Sequence, residues 1–313
     1  MRNAFLDTLF ELAQKDERIV FVTGDLGFRV VEKLMEQRPL QFLNAGVAEQ
    51  NMTGLAAGMA LSGKIVFTYS IGNFPTMRCL EQIRNDICYH EANVKIVTVG
   101  GGFAYGPMGV THHAIEDLAV MRAIPGLLVV APGDPVETRA ATRAITLHPG
   151  PCYLRLGKAG EPIVHPGAID FQLGRAIRLR EGSDLALIST GGMLQTAMKV
   201  AGRLDAQGIQ TRVLSMHTLK PLDEDAVLAA AHETGCIATL EEHSIYGGLG
   251  SAVAEVLAET EGAKVPFKRI GMPPIFSPHI GSQEFMLQAH GLNEEAVATV
   301  LLKLYRSKKT THP

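Results

Sequence analysis

Short apolar runs alternate with amphipathic or small-residue stretches along most of this chain. Apolar runs at 19–23, 41–44, 64–69, 94–99 and 127–131 are rich in Val, Ile and Phe. Most carry apolar residues on both faces. That pattern predicts strands buried on both sides, as in a parallel sheet. Between them the spacing predicts helices over 47–61, 75–89 and 134–147. Asp134 followed by Pro135 reads as an N-cap with proline at the first helical position. Residues 152–156 add a further strand. Strands alternating with helices predict a doubly wound α/β domain.

A second series follows a stretch rich in Gly and Pro, residues 157–167, which reads as a linker. Beyond it come strands at 185–189, 211–216 and 236–241. Helices at 194–206, 224–231 and 248–258 alternate with them. The expected organisation is α/β: two doubly wound domains, 1–160 and 168–313. Small residues Gly54, Ala56, Ala57 and Gly58 are expected to let their helix sit close to a sheet.

Length agrees with two domains, since 313 residues at roughly 100–200 per domain suggest that number. Net charge is −3, so there is no electrostatic footprint for nucleic acid. The tail Arg306-Ser307-Lys308-Lys309 reads as a frayed, solvated end. Cys79, Cys88, Cys152 and Cys236 show no metal-like spacing and suggest a reducing compartment. The amphipathic stretch 4–13 is no signal segment, and no apolar run approaches the roughly 18 residues of a membrane span. The expected location is the cytoplasm, with no membrane partner and no metal held by this chain.

The chemistry-bearing residues cluster after the predicted strands. Glu49 lies in the first turn of a helix in the run Gly46-Val47-Ala48-Glu49-Gln50-Asn51-Met52. The helix dipole alone favours an acid there. The place is also where doubly wound folds bind ligands, beyond the carboxyl ends of strands. Gly109-Val110-Thr111-His112-His113 follows a glycine-rich lead-in, Gly100-Gly101-Gly102. Such a loop at a strand end is a common place for function. Neutral histidine can move a proton near pH 7.

The run from Gly46 to Gly54 resembles the motif in the pyrimidine-binding domain of transketolases and 1-deoxyxylulose-5-phosphate synthases. The resemblance extends through Tyr69-Ser70-Ile71-Gly72-Asn73-Phe74, Arg78 to Arg84, the Thr111-His112-His113 loop, Cys152-Tyr153-Leu154-Arg155-Leu156, and Glu241-Glu242-His243 with Gly247-Gly248. It implies a thiamine-diphosphate enzyme, with the protein orienting a cofactor that does the carbanion chemistry. Glu49 would hydrogen-bond the cofactor's aminopyrimidine from a mostly apolar pocket. Phe74 would stack on that ring. Ile71 stands where the family has a further aromatic, and Asp25 matches an aspartate near the cofactor. His112 would be catalytic. Arg155 would bind a substrate phosphate, with Arg78, His113 and Met108 also facing the substrate. The second domain would be structural and take no part in catalysis.

The pattern departs in two places. The family's diphosphate- and Mg²⁺-binding motif is not found in this chain. The resemblance therefore implies a separate N-terminal subunit holding that end of the cofactor, in an α2β2 heterotetramer. Met108 replaces an aspartate that pairs a substrate hydroxyl, which methionine cannot do. Gly100 stands near the place of a phosphate-binding histidine. The expected activity is transfer of a two-carbon ketol unit from a phosphorylated or otherwise anionic ketose to an aldehyde. A β subunit of a 2-oxoacid dehydrogenase E1 and a non-catalytic interaction subunit are the alternatives.

Overall fold

The computed structural model describes residues 1–27 and 29–308. Lys309 and the end of the expected second domain lie outside them. Twelve strands build two sheets among the described residues. In chain order they are β1 Ile19–Thr23, β2 Phe42–Asn44, β3 Ile65–Ile71, β4 Val94–Val99, β5 Leu128–Val130, β6 Cys152–Leu156, β7 Ile177–Arg180, β8 Leu185–Ser189, β9 Thr211–Ser215, β10 Thr218–Lys220, β11 Ile237–Ser244 and β12 Phe267–Met272.

The first sheet runs β10-β5-β6-β4-β3-β1-β2, parallel except for β10. From β1 the chain steps to β2 on one side and β3 on the other. The crevice above the carboxyl ends of β1 and β3 is thus the switch point where such sheets bind ligands. The second sheet runs β12-β11-β8-β9-β7, parallel except for β7. This is the expected pair of α/β sheets.

Helix Glu49–Leu61 turns Met52, Ala56 and Ala57 into the core. Gly54 and Gly58 point outward, with nothing within 4 Å of a Cβ placed there. They therefore do not serve the close approach expected of them. Helix Pro135–Leu147 begins as expected, with Asp134 Oδ1 accepting from Glu137 N–H. The helix expected over 75–89 breaks into a 3-10 turn, Met77–Cys79, one α turn, Leu80–Gln82, and a π turn, Ile83–Cys88. An i→i+5 turn of this kind often marks a functional place.

β10 is a feature that periodicity does not reveal. It comes from the second half of the chain and pairs antiparallel with β5 in the first sheet. One apolar cluster also runs through both halves, from Val22 and Ile96 to Ile188 and Val227. β7, β12 and the helices Gln283–Ala289 and Glu294–Lys308 were also not anticipated.

Candidate active site

Four of the residues singled out in the sequence meet above the switch point. Ala48 and the turn at Gly46 (φ +76°) put Glu49 at the start of its helix, facing inward and buried. Its Oε2 accepts from Arg78 Nη1 at 2.7 Å. The pocket is thus not mostly apolar as expected: a cation meets the carboxylate. Gln50 helps set that cation, since its Nε2 donates to Arg78 O at 3.1 Å. The Arg78 guanidinium carbon lies 4.7 Å above the Phe74 ring, and Phe74 meets His112 edge-on at 5.1 Å. Three loops and one helix terminus are therefore linked in one chain of contacts.

His112 closes a short 3-10 turn, Val110–His112, and is half-buried. Tyr105 flanks it at 6.3 Å. Burial, and then the neighbouring His113, lower its proton affinity below the ordinary histidine value. It is neutral near pH 7. Its Nδ1 bonds Thr111 Oγ1 at 2.9 Å, which leaves Nε2 for a substrate oxygen. When Thr111 is the donor, Nε2 carries the proton.

Further side chains at the same strand ends were not singled out. Ser70 Oγ is buried with no hydrogen-bond partner among the described residues. A Cβ on Gly24 would lie 3.6 Å from both this oxygen and Glu49 Cγ. Glycine there keeps the crevice open between acid and hydroxyl. Asn44 and Asp25 bridge the ends of β1 and β2. Asn44 Nδ2 donates to Asp25 Oδ1 at 2.9 Å, and Asp25 N–H donates to Asn44 Oδ1 at 3.1 Å. The signal for these was only their place after a strand. An open acceptor, an orphaned hydroxyl and an aromatic face fit a flat, donor-bearing heterocycle such as an aminopyrimidine. Among the described residues no group of three or more His, Cys, Asp or Glu side chains could hold a metal ion.

Other expected site residues sit differently. Ile71 is half-buried and packs with the cluster that includes Leu26 and Tyr105. Met108 is exposed, at 58%. His113 is buried and turned inward: its Nε2 donates to Gly106 O at 3.1 Å and its ring meets Phe103. The expectation that it faces the substrate is corrected, because its free hydrogen-bonding edge is spent inside the loop.

Arg155 also needs correction. It is 5% exposed, and its Nε donates to Asp117 Oδ2 at 2.8 Å. Its Nη2 donates to Ala114 O at 2.7 Å and Glu242 O at 3.1 Å. Tyr153 shares the Asp117 carboxylate. The cavity bordered by Arg155, about 580 Å³, is lined by neither Glu49 nor His112. Buried carboxylates and carbonyls claim this guanidinium before a substrate phosphate could. Asp117 and Glu242 escaped notice because each lies far in sequence from its partner.

Comparison with known proteins agrees with this geometry. The model for the transketolase pyrimidine binding domain matches residues 1–160, and that for the transketolase C-terminal domain matches 174–297. One of the two subunits of the apulose-4-phosphate transketolase of Phocaeicola vulgatus is 41% identical over 307 residues, covering 97% of each chain. The 6-deoxy-6-sulfo-D-fructose transketolase subunit SqwH of a Clostridium species is 40% identical, covering 95% of this chain and 92% of that one. The solved structure of a split-gene transketolase, an inactive β4 tetramer, superposes with a TM-score of 0.88 at 39% identity and 98% coverage of both chains. A 1-deoxy-D-xylulose-5-phosphate synthase of Heliobacterium modesticaldum is 35% identical, but this chain spans 46% of it.

The chain belongs to the transketolase family, among the subunits that form the C-terminal part of split enzymes. It is a transferase subunit of that two-chain type, and the family's chemistry is thiamine-diphosphate-dependent ketol transfer.

Proposed function

We propose that this chain supplies the pyrimidine-binding half of a thiamine-diphosphate site and transfers a two-carbon ketol unit from an anionic ketose to an aldehyde. Its partner is a separate subunit that holds the diphosphate and Mg²⁺, in an α2β2 assembly. The observation that carries the reading is the linkage of Glu49, Arg78, Phe74 and His112 at the switch point. Four free buried cysteines suit a reducing compartment, and we place the enzyme in the cytoplasm.

When bound, thiamine diphosphate supplies the carbanion equivalent that takes up and releases the two-carbon unit. The chain's own residues do the rest. Glu49 accepts a hydrogen bond from the ring N–H and holds a proton there. Phe74 orients the ring through its face. His112 Nε2 donates to a carbonyl oxygen that gains charge and takes the proton back as that charge is lost. The half-exposed Arg78 keeps a cation at the rim for an acidic substrate. Without an aspartate at position 108, hydroxyl discrimination rests on other groups.

The test is Glu49→Gln in the reconstituted two-chain enzyme, with ketose turnover measured directly. The amide keeps the shape but cannot hold the proton. A loss of at least about a hundredfold is expected. Turnover near the wild-type rate sinks the assignment. Decarboxylation of a 2-oxoacid without ketose turnover would reverse the choice of reaction.

A further inference from the structure

The second domain has no assigned part in the chemistry, yet it grips the loop that carries His112. That loop, residues 102–114, closes on itself at its neck. Gly102 N–H donates to Ala114 O at 2.8 Å, and Ala114 N–H donates back to Gly102 O at 3.0 Å. Directly against the neck sits Glu242, near the end of β11 in the second sheet.

Glu242 is buried and fully used as an acceptor. Its Oε1 accepts from Phe103 N–H at 2.7 Å. Gln283 Nε2 reaches Oε1 at 3.0 Å and Oε2 at 2.9 Å. The approach is close enough that a Cβ on Gly102 would stand 2.3 Å from Glu242 Cδ. Gly102 also has φ +67°, so glycine is required there twice over.

Other contacts act on the same loop. Arg155 Nη2 joins Ala114 O to Glu242 O, and Ser244 N–H donates to Ile115 O at 2.7 Å. Further round, a Cβ on Gly106 would lie 2.5 Å from Gly281 O. His113 then ties Gly106 to the residue beside His112. Within residues 102–114 the only regular pieces are two single 3-10 turns, Gly106–Met108 and Val110–His112. A loop of that kind has little to hold its shape from within. What fixes it is a buried carboxylate from the other domain, and burying a charge is costly unless every oxygen is paired.

We propose that Glu242 is a positioning residue, holding the neck at Gly102, Phe103 and Ala114 so that His112 stands in its working place beside Phe74. The second domain thus sets geometry in the first. The inference rests on the catalytic reading of His112.

The test uses the assembled two-chain enzyme. Glu242→Gln puts an N–H₂ where an acceptor is needed, against either Phe103 N–H or Gln283. A fall in kcat of about a hundredfold is expected, because small displacements of a catalytic group cost that much. The donor KM should stay within about twofold, since ground-state binding is not what Glu242 controls. In a His112→Ala background the same replacement should cost no more than about twofold, because the group it positions is gone. Adding Gln283→Glu to Glu242→Gln restores a complementary pair and should recover most of kcat.

Equal losses with and without His112 would show a general structural role and overturn the proposal. An unchanged kcat in Glu242→Gln would do the same. If His112→Ala itself leaves turnover intact, the catalytic reading of His112 fails first, and the proposal falls with it. Should Glu242→Gln not assemble, Gln283→Leu removes only the outer donor and carries the test. It should then lower kcat about tenfold in the parent and leave the His112→Ala enzyme unchanged.

Discussion

At the scale of single residues, His112 shows how a side chain acquires its chemistry from what touches it. Its ring is partly buried against Phe74 and Tyr105, and desolvation disfavours the charged form. The neutral ring is the working form. It persists as pH falls below the ordinary histidine range, so the acid limb of kcat/KM should lie below that range. Phe74→Ala opens the ring to water, which should raise its proton affinity. The acid limb then moves to higher pH, and a pH–rate profile reads the shift directly. An unmoved limb would mean that another group sets it. Glu49 was legible from its run of neighbours, but its partner Arg78 was not. Twenty-nine positions separate the two, and only the folded loop brings them to 2.7 Å.

At the scale of elements, Asp134 links a helix to the linker. Its carboxylate accepts from Glu137 N–H at 2.8 Å, as the sequence led one to expect of an N-cap. It also accepts from Val164 N–H at 2.9 Å and His165 N–H at 3.0 Å. Burial alone would raise its pKa, but His165 and these three amides outweigh burial and hold it well below the carboxylate range. Asp134→Ala loses a cap and orphans two more amides, for a cost of about 3 kcal/mol. Asp134→Asn should recover only part, because one oxygen becomes a donor. Chemical denaturation of both variants checks the order. The strands of the first sheet were readable because both of their faces are buried. The broken helix at 77–88 was not, since its residues carry an ordinary helical pattern and the break into a π turn is imposed by packing.

At the scale of the whole molecule, the strap carrying β10 joins the two sheets. His217 lies in it, buried and stacked on Phe171 at 4.0 Å, and Ala131 N–H donates to its carbonyl oxygen at 2.7 Å. Burial lowers its pKa from 6.5 to about 4. Between those values the unfolded chain binds a proton that the folded chain refuses. Stability from this group is therefore present above pH 6.5 and is lost as pH falls toward 4, by up to about 3 kcal/mol. His217→Gln should flatten that part of the stability–pH curve. An unchanged slope would show that His217 is not the titrating group.

The sequence by itself determined the α/β alternation, the two-sheet plan and the acid and histidine around which the site is built. Those features are written locally, in apolar periodicity, glycine placement and unbroken runs such as Gly46 to Gly54. Only the tertiary structure decided which charges meet. It gave Arg78 to Glu49, withdrew Arg155 into the Asp117 and Glu242 network, and turned His113 inward. It also carried β10 across to the first sheet. A buried charge takes whichever opposite or hydrogen-bonding group the fold delivers to it. That choice depends on contacts between positions tens of residues apart, which no local pattern records.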